Sequence, residues 1–373
     1  MKIAIEAQRI FRTNKHGMDF VALESIRELQ KIDKDNDYYI LVRPGDDDSV
    51  LKATPNFHII QLKCPTYPLW EQVALPLAVN RIKPDVLHCT SNTAPIFCKV
   101  PLVLTLHDII FLEKKKSTSK SLYQMMGWYY RRFVVPRILK KCSKIITVSN
   151  FEADRISNAL KLPANKLIAV YNGVGNHFKK VENCEKRHIF FLGNTDPKKN
   201  TERVLKAYSI YLDKSERKLP LLIADLKGPY IKEILDKISH PELIDHIIPS
   251  GYIYNSDLPK IYSEAFVFLY PSLRESFGIP ILEAMACGTP VITSNTSAMP
   301  EVAGGAAILV NPLNEEEIAD AILKLELDDK LLKEKVEAGI ERASHFSWRY
   351  TAEELLKIYY NYETREIKGE NQK

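Results

Sequence analysis

Short apolar runs rich in Val, Ile, Leu and Phe recur along the whole chain, and amphipathic stretches of helical period separate them. This alternation is typical of parallel sheets with helices on both faces, because the strands are then buried on both sides. In the first half of the chain the pattern predicts seven strands, at Lys2–Glu6, Tyr38–Val42, Phe57–Leu62, Asp85–His88, Leu102–Leu106, Lys144–Val148 and Leu167–Tyr171. Helices are predicted between them, for example at Met18–Lys31 and Leu69–Arg81.

The alternation stops near Asn176 in a polar connector, residues 178–187, and then starts again. Six further strands are predicted, at His188–Leu192, Leu221–Ala224, His246–Ile248, Ala265–Leu269, Val291–Thr293 and Ala307–Val310. The chain ends in predicted helices, Glu315–Glu326, Lys330–Ala343 and Trp348–Tyr362, and a charged tail expected to be disordered. We therefore predict one Rossmann-like domain over residues 1–180 and a second over 188–346. Residues 347–373 should pack back on the first domain.

Length and composition agree with two soluble domains. The chain has 373 residues, 45% hydrophobic and 27% charged, which is too long for one ordinary domain. A net charge of +5 gives little support to nucleic-acid binding, and no apolar run reaches the ~18 residues of a membrane span. Met1 and Lys2 lead straight into a strand, and the six cysteines show no metal-ligand spacing. We expect free thiols, no signal peptide and a cytoplasmic protein.

The most informative stretch is Tyr270–Thr293, which reads as a strand end, a polar turn, a helix and a second strand. Gly278 lets a ligand approach the backbone, and Pro280 fits the first turn of a helix. A helix N-terminus after a tight turn is suited to an anion. Glu275 precedes the helix, and Glu283 lies about one and a half turns inside it, within reach of neutral hydroxyl groups. A ligand that has an anionic group at one end and hydroxyl groups at the other fits the description of a nucleotide sugar. The alternative is an ordinary strand–turn–helix unit with no ligand.

A second candidate stretch, Gly193–Asn200, follows a predicted strand and contains Lys198 and Lys199 just before a helix. These lysines could neutralise a diphosphate, or they could belong to a solvated basic turn. His107 likewise follows the end of a predicted strand. Ligands of open α/β sheets bind beyond the carboxyl ends of the strands, so two sheets that face each other would collect these residues at a cleft.

Several of these stretches resemble landmarks of one enzyme family. Residues 275–283, E-S-F-G-I-P-I-L-E, resemble the paired-glutamate motif E-x7-E of retaining glycosyltransferase family 4, which has the GT-B fold. Gly193–Asn200 is similar to the Gly…Lys segment of that family, with Lys199 at its phosphate-binding lysine. Further similar stretches occur in the family's usual order, namely Pro84–His88, Leu104–Asp108, Ile146–Phe151, Val170–Val174 and Met299–Gly304. The resemblance thus covers nearly the whole chain.

The resemblance implies a GT-B fold of two doubly wound Rossmann-like domains that face each other across a cleft. The first domain would lie on the acceptor side, and the second would bind the nucleotide sugar. The implied reaction moves a sugar, with mannose suggested by residues 193–200, from a nucleotide diphosphate to a hydroxyl of a glycan or lipid-linked saccharide. The anomeric configuration would be retained, without a metal or a further cofactor. The implied catalytic residues are Glu275, Lys199 and His107, and the implied donor-binding residues are Gly193, Lys198, Lys199, Ser276, Phe277, Gly278, Ile279 and Glu283.

Two other functions stay open from the sequence. A nucleotide-sugar epimerase on a similar two-domain fold would need no acceptor, and a non-catalytic sensor would only bind the nucleotide sugar.

A metal site at Asp46–Asp48 is not expected, because these residues follow Pro44 and Gly45 in a stretch whose composition is typical of a turn.

A basic segment, Lys114–Lys144, contains ten Lys or Arg residues and an aromatic cluster around Trp128–Tyr130. A solvated helix face explains such a segment. The functional alternative is a peripheral contact with anionic lipid at the inner face of a membrane, which would suit an enzyme with a lipid-linked acceptor.

Overall fold

The computed structural model describes residues 1–112 and 122–370 of the chain. Residues 113–121 of the predicted basic segment lie outside the described residues. The chain divides into two compact units. The first contains Met1–Asn172 and the C-terminal segment from Trp348, and the second is the continuous stretch Gly173–Ser347. Each unit is built on one parallel sheet, so the predicted pair of doubly wound Rossmann-like domains is confirmed.

The sheet of the first unit has seven strands in the order β3-β2-β1-β4-β5-β6-β7. The strands are β1 (Lys2–Glu6), β2 (Asp37–Val42), β3 (Phe57–Gln61), β4 (Val86–Cys89), β5 (Leu102–Thr105), β6 (Lys144–Thr147) and β7 (Leu167–Ala169). In register, Ile3 of β1 lies between Tyr38 of β2 and Val86 of β4. This strand order reverses direction beside β1, which is the switch point at which open α/β sheets bind ligands.

The helices of the first half are α1 (Gly17–Ile32), α2 (Tyr67–Leu69), α3 (Leu75–Ile82), α4 (Leu122–Leu139) and α5 (Asn150–Leu160). Helix α1 covers the sheet with Leu23, Ile26 and Leu29, which recur at helical spacing and are almost fully buried.

One predicted helix is interrupted. Leu69–Arg81 was expected to be a single α-helix, but residues Trp70–Ala74 between α2 and α3 form a π-helix. The N–H of Leu75 donates to the carbonyl oxygen of Trp70, five residues back. Pro76 has no N–H to donate to the preceding turn, and this proline favours such a local widening.

The sheet of the second unit has six strands in the order β10-β9-β8-β11-β12-β13. They are β8 (His188–Leu192), β9 (Leu221–Ala224), β10 (Ile247–Gly251), β11 (Ala265–Tyr270), β12 (Val291–Ser294) and β13 (Ile308–Val310). The helices are α6 (Thr201–Lys214), α7 (Gly228–Lys237), α8 (Leu258–Glu264), α9 (Ile279–Ala286), α10 (Met299–Ala303), α11 (Glu315–Leu327) and α12 (Asp329–Ser344). Strand β11 pairs with both β8 and β12, so its end lies at the centre of the sheet edge.

The polar connector predicted at residues 178–187 packs within the second unit, because the division between the units falls at Asn172 and Gly173. The ring of Phe178 lies 6.2 Å from that of Tyr262, and the backbone N–H of Val181 donates to Ser263 Oγ at 3.0 Å. The connector is therefore packed against α8 of the second unit.

The last helix, α13 (Trp348–Glu370), belongs to the first unit and packs on α1. Its residues Ala352, Leu355, Ile358 and Tyr359 join the core beneath that face of the sheet. The helix continues past its predicted end at Tyr362, because residues 363–368 include neither proline nor glycine. Residues 371–373 of the predicted tail lie outside the described residues.

Among the described residues, no helix is both long enough and apolar enough to cross a membrane. All six cysteines are free thiols, and Cys89, Cys142 and Cys287 are buried.

Candidate active site

The loop after β11 and the loop after β8 meet at the edge of the second sheet. The backbone N–H of Leu273 donates to the carbonyl oxygen of Lys198 at 2.7 Å and so ties the two loops together. Asn200 adopts the left-handed conformation, with φ of 64°, and its amide donates to the carbonyl oxygens of Pro271 (3.0 Å) and Pro312 (2.6 Å). The two most informative stretches of the sequence are therefore adjacent.

Lys199 and Glu275 form an ion pair at this junction. Lys199 Nζ lies 2.8 Å from Glu275 Oε1 and also donates to the hydroxyl of Tyr270 at 2.8 Å. The two charged side chains are only 12% and 11% exposed, so both charges lie in a partly desolvated recess. Lys198 approaches the second oxygen, Glu275 Oε2, at 3.7 Å and is more exposed. The carboxylate thus lies between two ammonium groups.

The electrostatics of this cluster follow from burial and charge. Burial lowers the pKa of Lys199 below its usual value, although the neighbouring Glu275 carboxylate opposes the change. Burial alone would raise the pKa of Glu275, but the charges of Lys199 and Lys198 and the hydrogen bonds from Lys199 and Tyr270 together hold that pKa below its usual value. The lowered pKa keeps the Glu275 carboxyl group ionised at neutral pH. Burial, followed by the charges of Glu275 and Glu283, raises the pKa of Tyr270 well above its usual value, so the phenol stays neutral.

The backbone around Glu275 is fixed by the next strand and helix. Its N–H donates to Ser297 Oγ at 3.1 Å, and its carbonyl oxygen accepts from the N–H of Ala298 at 3.4 Å. These two residues lie just before α10, so α10 helps to set the position of the Glu275 side chain.

Glu283 lies on α9, and its surroundings differ from those of Glu275. Its Oε2 accepts a hydrogen bond from the hydroxyl of Tyr262 at 3.2 Å. Burial raises the pKa of Glu283 to about 7, and this neutral hydroxyl offsets burial only in part. A carboxylate in such a recess can accept hydrogen bonds from further hydroxyl groups.

The start of α9 depends on Gly278. This residue precedes the helix with φ of 100°, in a region that side chains other than glycine rarely adopt. A Cβ on Gly278 would lie 3.1 Å from Ile281 Cδ1, which is a tight contact. Pro280 follows at the second helical position, as predicted. The positive end of the α9 dipole therefore lies next to the loop that contains Glu275.

The remaining predicted donor-binding residues differ in their surroundings. Phe277 is buried and its ring lies 6.0 Å from that of Phe346, so it anchors the loop in the core. Ser276 precedes Phe277, Ile279 is the first residue of α9, and both are partly exposed. A Cβ on Gly193 would lie 2.9 Å from side-chain atoms of Ile223, so this glycine allows close packing against β9.

His107 lies in the first unit, whereas the other predicted site residues lie in the second. Its Nε2 is 2.9 Å from the carbonyl oxygen of Thr90, so Nε2 carries the proton of the neutral ring. Its backbone N–H donates to Asn92 Oδ1 at 2.6 Å. Burial lowers the pKa of His107, so the imidazole is neutral at physiological pH.

Sequence reasoning missed three residues that build the site, namely Tyr270, Ser297 and Asn200. Tyr270 is the last residue of β11, and its position at a strand end was the signal available for it. The side chains of Ser297 and Asn200 form hydrogen bonds with backbone groups of loops that are distant in sequence. The sequence contains no signal for those contacts.

Comparison with protein families agrees with this fold. Residues 16–175 match the family described as Glycosyltransferase Family 4, and residues 175–342 match the family described as Glycosyl transferases group 1. The chain thus has the two parts of a GT-B glycosyltransferase. It belongs to glycosyltransferase family 4, which confirms the family resemblance of the sequence.

Among similar proteins of known function, O-antigen chain mannosyltransferase B of Escherichia coli is 27% identical over 59% of this chain and 61% of its own length. O-antigen chain mannosyltransferase RfbU of Salmonella typhimurium is 28% identical over 79% of this chain and 77% of its own. Serotype-specific mannosyltransferase WbdA of Escherichia coli is 25% identical, and the match spans 75% of this chain and only 37% of that protein.

Solved structures confirm the fold class. Sucrose-phosphate synthase from Thermosynechococcus elongatus superposes with a TM-score of 0.76 at 18% identity, over 98% of this chain and 99% of its own. HepE from Anabaena, solved in complex with UDP, gives a TM-score of 0.74 at 17% identity, over 97% and 100% of the two chains. At these identities the likeness shows the GT-B fold alone.

Proposed function

We propose that this protein is a retaining glycosyltransferase that moves a sugar from a nucleotide diphosphate donor to a hydroxyl group of a glycan or lipid-linked saccharide. One observation carries the proposal. The partly buried Lys199–Glu275 pair joins the loop after β8 to the loop after β11, from which α9 starts. A strand end, a buried ammonium group and a helix N-terminus together suit a diphosphate.

The chemistry begins with the bond between the anomeric carbon and the β-phosphate oxygen. As this bond breaks, negative charge grows on the departing phosphate, and Lys199 with the positive end of α9 stabilises that charge. The acceptor oxygen bonds to the anomeric carbon on the same face, and its proton passes to the leaving phosphate oxygen. This route needs no carboxylate as general base and no metal ion.

Glu275 has a positioning role in this scheme and also faces the sugar. Its carboxylate holds the Lys199 ammonium at 2.8 Å before the donor arrives, so the cation is already in place when charge develops. Glu283 binds donor hydroxyls, such as those of the ribose, from inside α9. His107 stays a predicted contact of the donor sugar.

The transferred sugar is proposed to be mannose, because three of the similar proteins above are mannosyltransferases. Two of those are O-antigen chain enzymes, which favours a polysaccharide or lipid-linked saccharide as acceptor.

The test is incubation of the purified chain with guanosine and uridine diphosphate sugars and a lipid-linked glycan extract, in the presence of EDTA. We expect a glycosylated product whose anomeric configuration, read by NMR, equals that of the donor. Lys199→Ala should lower kcat by ~100-fold or more, the scale for loss of one preorganised charge-stabilising group. Lys206→Ala is the matched control, because Lys206 is an exposed lysine of α6 and is not one of the predicted site residues.

Each contrary result identifies a different error. An inverted product, or activity restored only by a divalent cation, would overturn the mechanism. Epimerised donor without transfer would indicate an epimerase, and tight donor binding without either product would indicate a sensor. Equal loss of kcat in the two lysine variants would remove the assigned role of Lys199.

A further inference from the structure

The Glu283 carboxylate is held at one of its two oxygens. Its Oε2 accepts a hydrogen bond from the Tyr262 hydroxyl at 3.2 Å, while Oε1 makes no hydrogen bond with the part of the chain that the structure describes. The Glu283 side chain is partly exposed, whereas the Tyr262 side chain is completely buried. One oxygen of this carboxylate is therefore tied to the protein interior, and the other is available to a ligand.

The ring of Tyr262, on α8, is fixed by an aromatic cluster of the second unit. The ring centroids of Phe190 on β8 and Phe268 on β11 each lie 5.2 Å from that of Tyr262, and the ring of Phe178 in the connector lies 6.2 Å away. All three contacts are edge-to-face, a geometry that aromatic pairs prefer. The Tyr262 carbonyl oxygen also accepts a hydrogen bond from the hydroxyl of Thr289, just after α9. Packing thus sets the position of the phenol oxygen before any ligand binds.

The polar groups nearest to Glu283 are uncharged at neutral pH. Burial raises the pKa of Glu283 to about 7, and the hydrogen bond from Tyr262 offsets this increase only in part. Burial is also the main cause that raises the pKa of Tyr270 well above its usual value and that of Cys287 to about 12, and the charge of Glu283 contributes to both. Tyr262 is therefore the side chain that favours the ionised carboxylate.

The charged side chains of the segments packed against α9 have other partners. Lys260 Nζ lies 3.9 Å from Glu264 Oε1 on α8, and Arg342 on α12 donates to the carbonyl oxygens of residues 301 and 302. Lys186 of the connector donates to the carbonyl oxygen of Ser263 at 2.8 Å. The orientation of the Glu283 carboxylate is thus left to the Tyr262 hydroxyl.

We propose that Tyr262 is a positioning residue that sets how strongly the donor site prefers a ribonucleoside diphosphate to its deoxy analogue. The last torsion of a glutamate side chain is broad, so a carboxylate that is not held samples many orientations. The Tyr262 hydroxyl fixes Oε2 of Glu283, and Oε1 is then presented to the ribose hydroxyl groups before the ligand arrives, which reduces the loss of entropy on binding. This inference rests on the proposed binding of donor hydroxyls by Glu283.

Calorimetric titration of the full chain measures this preference. The ligands are GDP, UDP and the 2′-deoxy and 3′-deoxy analogues of whichever binds more tightly. The ribose preference is the larger ratio of deoxy Kd to ribo Kd, in which titration of the shared diphosphate cancels. In the parent we expect a ratio of about 10 or more above pH 7, the scale of one hydrogen bond to a charged group. The ratio should fall below pH 7, because the Glu283 carboxylate takes up a proton.

Tyr262→Phe removes the hydroxyl and keeps the ring in the aromatic cluster. We expect the ribose preference to fall at least about threefold near neutral pH. It should recover only at higher pH, because loss of the hydrogen bond raises the pKa of Glu283 further. The KM for the donor should change more than kcat. Tyr208→Phe is the matched control, since it removes another buried phenol hydroxyl of the second unit, one that donates to the carbonyl oxygens of Leu219 and His246 at 3.0 Å each.

Glu283→Gln separates this proposal from the function on which it rests. A parent that binds neither nucleotide or shows no ribose preference, or a Glu283→Gln variant that keeps the preference of the parent, would contradict the proposed role of Glu283, and the role of Tyr262 would fall with it. If Glu283→Gln loses the preference while Tyr262→Phe keeps it with an unchanged pH profile, the positioning role of Tyr262 alone is overturned. An equal loss in Tyr208→Phe would also overturn it, because any missing buried hydroxyl would then have the same effect.

Discussion

Lys199 is an ammonium group held where water is scarce, and the loss of solvation has to be compensated by its partners. Glu275 Oε1 and the Tyr270 hydroxyl, each 2.8 Å away, provide that compensation. Replacing such a pair by apolar residues is often neutral or stabilising, so a partly buried ion pair is weak evidence of a stabilising role. Its position at the carboxyl edge of the second sheet favours a role in ligand chemistry instead.

Glu283 should make the protein less stable as the pH rises. Below pH 4.5 its carboxyl group is protonated in both states. Between pH 4.5 and about 7 the unfolded chain ionises first while the folded state keeps the proton, so the free energy of unfolding falls. Glu283→Gln keeps an acceptor for the Tyr262 hydroxyl and removes this titration. Relative to the parent, the variant should gain roughly 1–3 kcal/mol across that range.

Urea unfolding at several pH values measures the difference. Glu233→Gln is the control, since it makes the same chemical change at an exposed position of the second unit. Parallel pH profiles for the parent and Glu283→Gln would contradict the raised pKa of Glu283.

The site residues that sequence analysis could predict are those that lie close in sequence to a recognisable turn. Glu275, Gly278 and Glu283 lie within one strand–turn–helix stretch, and Lys199 follows a neighbouring strand. Their convergence required knowledge of strand order, because β8 and β11 are adjacent in the sheet although many residues separate them. The roles assigned to these residues in binding and catalysis stay predictions.

At the scale of elements, α9 begins where it does because Gly278 adopts φ of 100°. Gly278→Ala should cost about 1–3 kcal/mol in the free energy of unfolding, the range for a strained backbone conformation. Gly17→Ala is the control, because no atom lies within 4 Å of the added Cβ and Gly17 is outside the left-handed region. Chemical denaturation of both variants checks the prediction, and equal stabilities would show that the α9 start tolerates a side chain.

The strands were predictable because each is a short β-rich run, and strands such as β4, β5 and β11 are buried along their whole length. All thirteen predicted strands are present, with ends shifted by a few residues. The helix near Leu75 was less predictable. Its apolar spacing predicted an uninterrupted α-helix, whereas Pro76 changes the hydrogen bonding of the preceding turn, and periodicity does not report hydrogen bonds.

At the scale of the whole molecule, a buried hydrogen bond joins α13 to the first sheet, in addition to the apolar contacts of α13 in the core. The Tyr359 hydroxyl lies 2.6 Å from His88 Nδ1, and the His88 Nε2 lies 2.8 Å from Thr105 Oγ1. Burial lowers the pKa of His88 to about 3, so the ring is neutral. Tyr359→Phe leaves a buried ring nitrogen without this partner and should cost about 1–3 kcal/mol.

Hydrogen exchange measures where that loss falls. Amides of β4 and β5 should exchange faster in Tyr359→Phe, while those of β8 and β11 should be unchanged. Tyr360→Phe is the control, because its hydroxyl contacts Asn36 at 2.9 Å and its side chain is partly exposed. Faster exchange throughout both units would contradict a contribution confined to the first unit.

The discontinuous first unit has a consequence for biosynthesis. The second unit is a continuous stretch, so all of its residues are translated before those of α13. The first unit, whose strands are made earliest, must wait for Ala352, Leu355, Ile358 and Tyr359 to close its core. Folding during translation usually proceeds from the N-terminal domain onward, and here the later unit can be completed first. A premature stop codon shortly before residue 348 would therefore damage the half of the protein that was synthesised first.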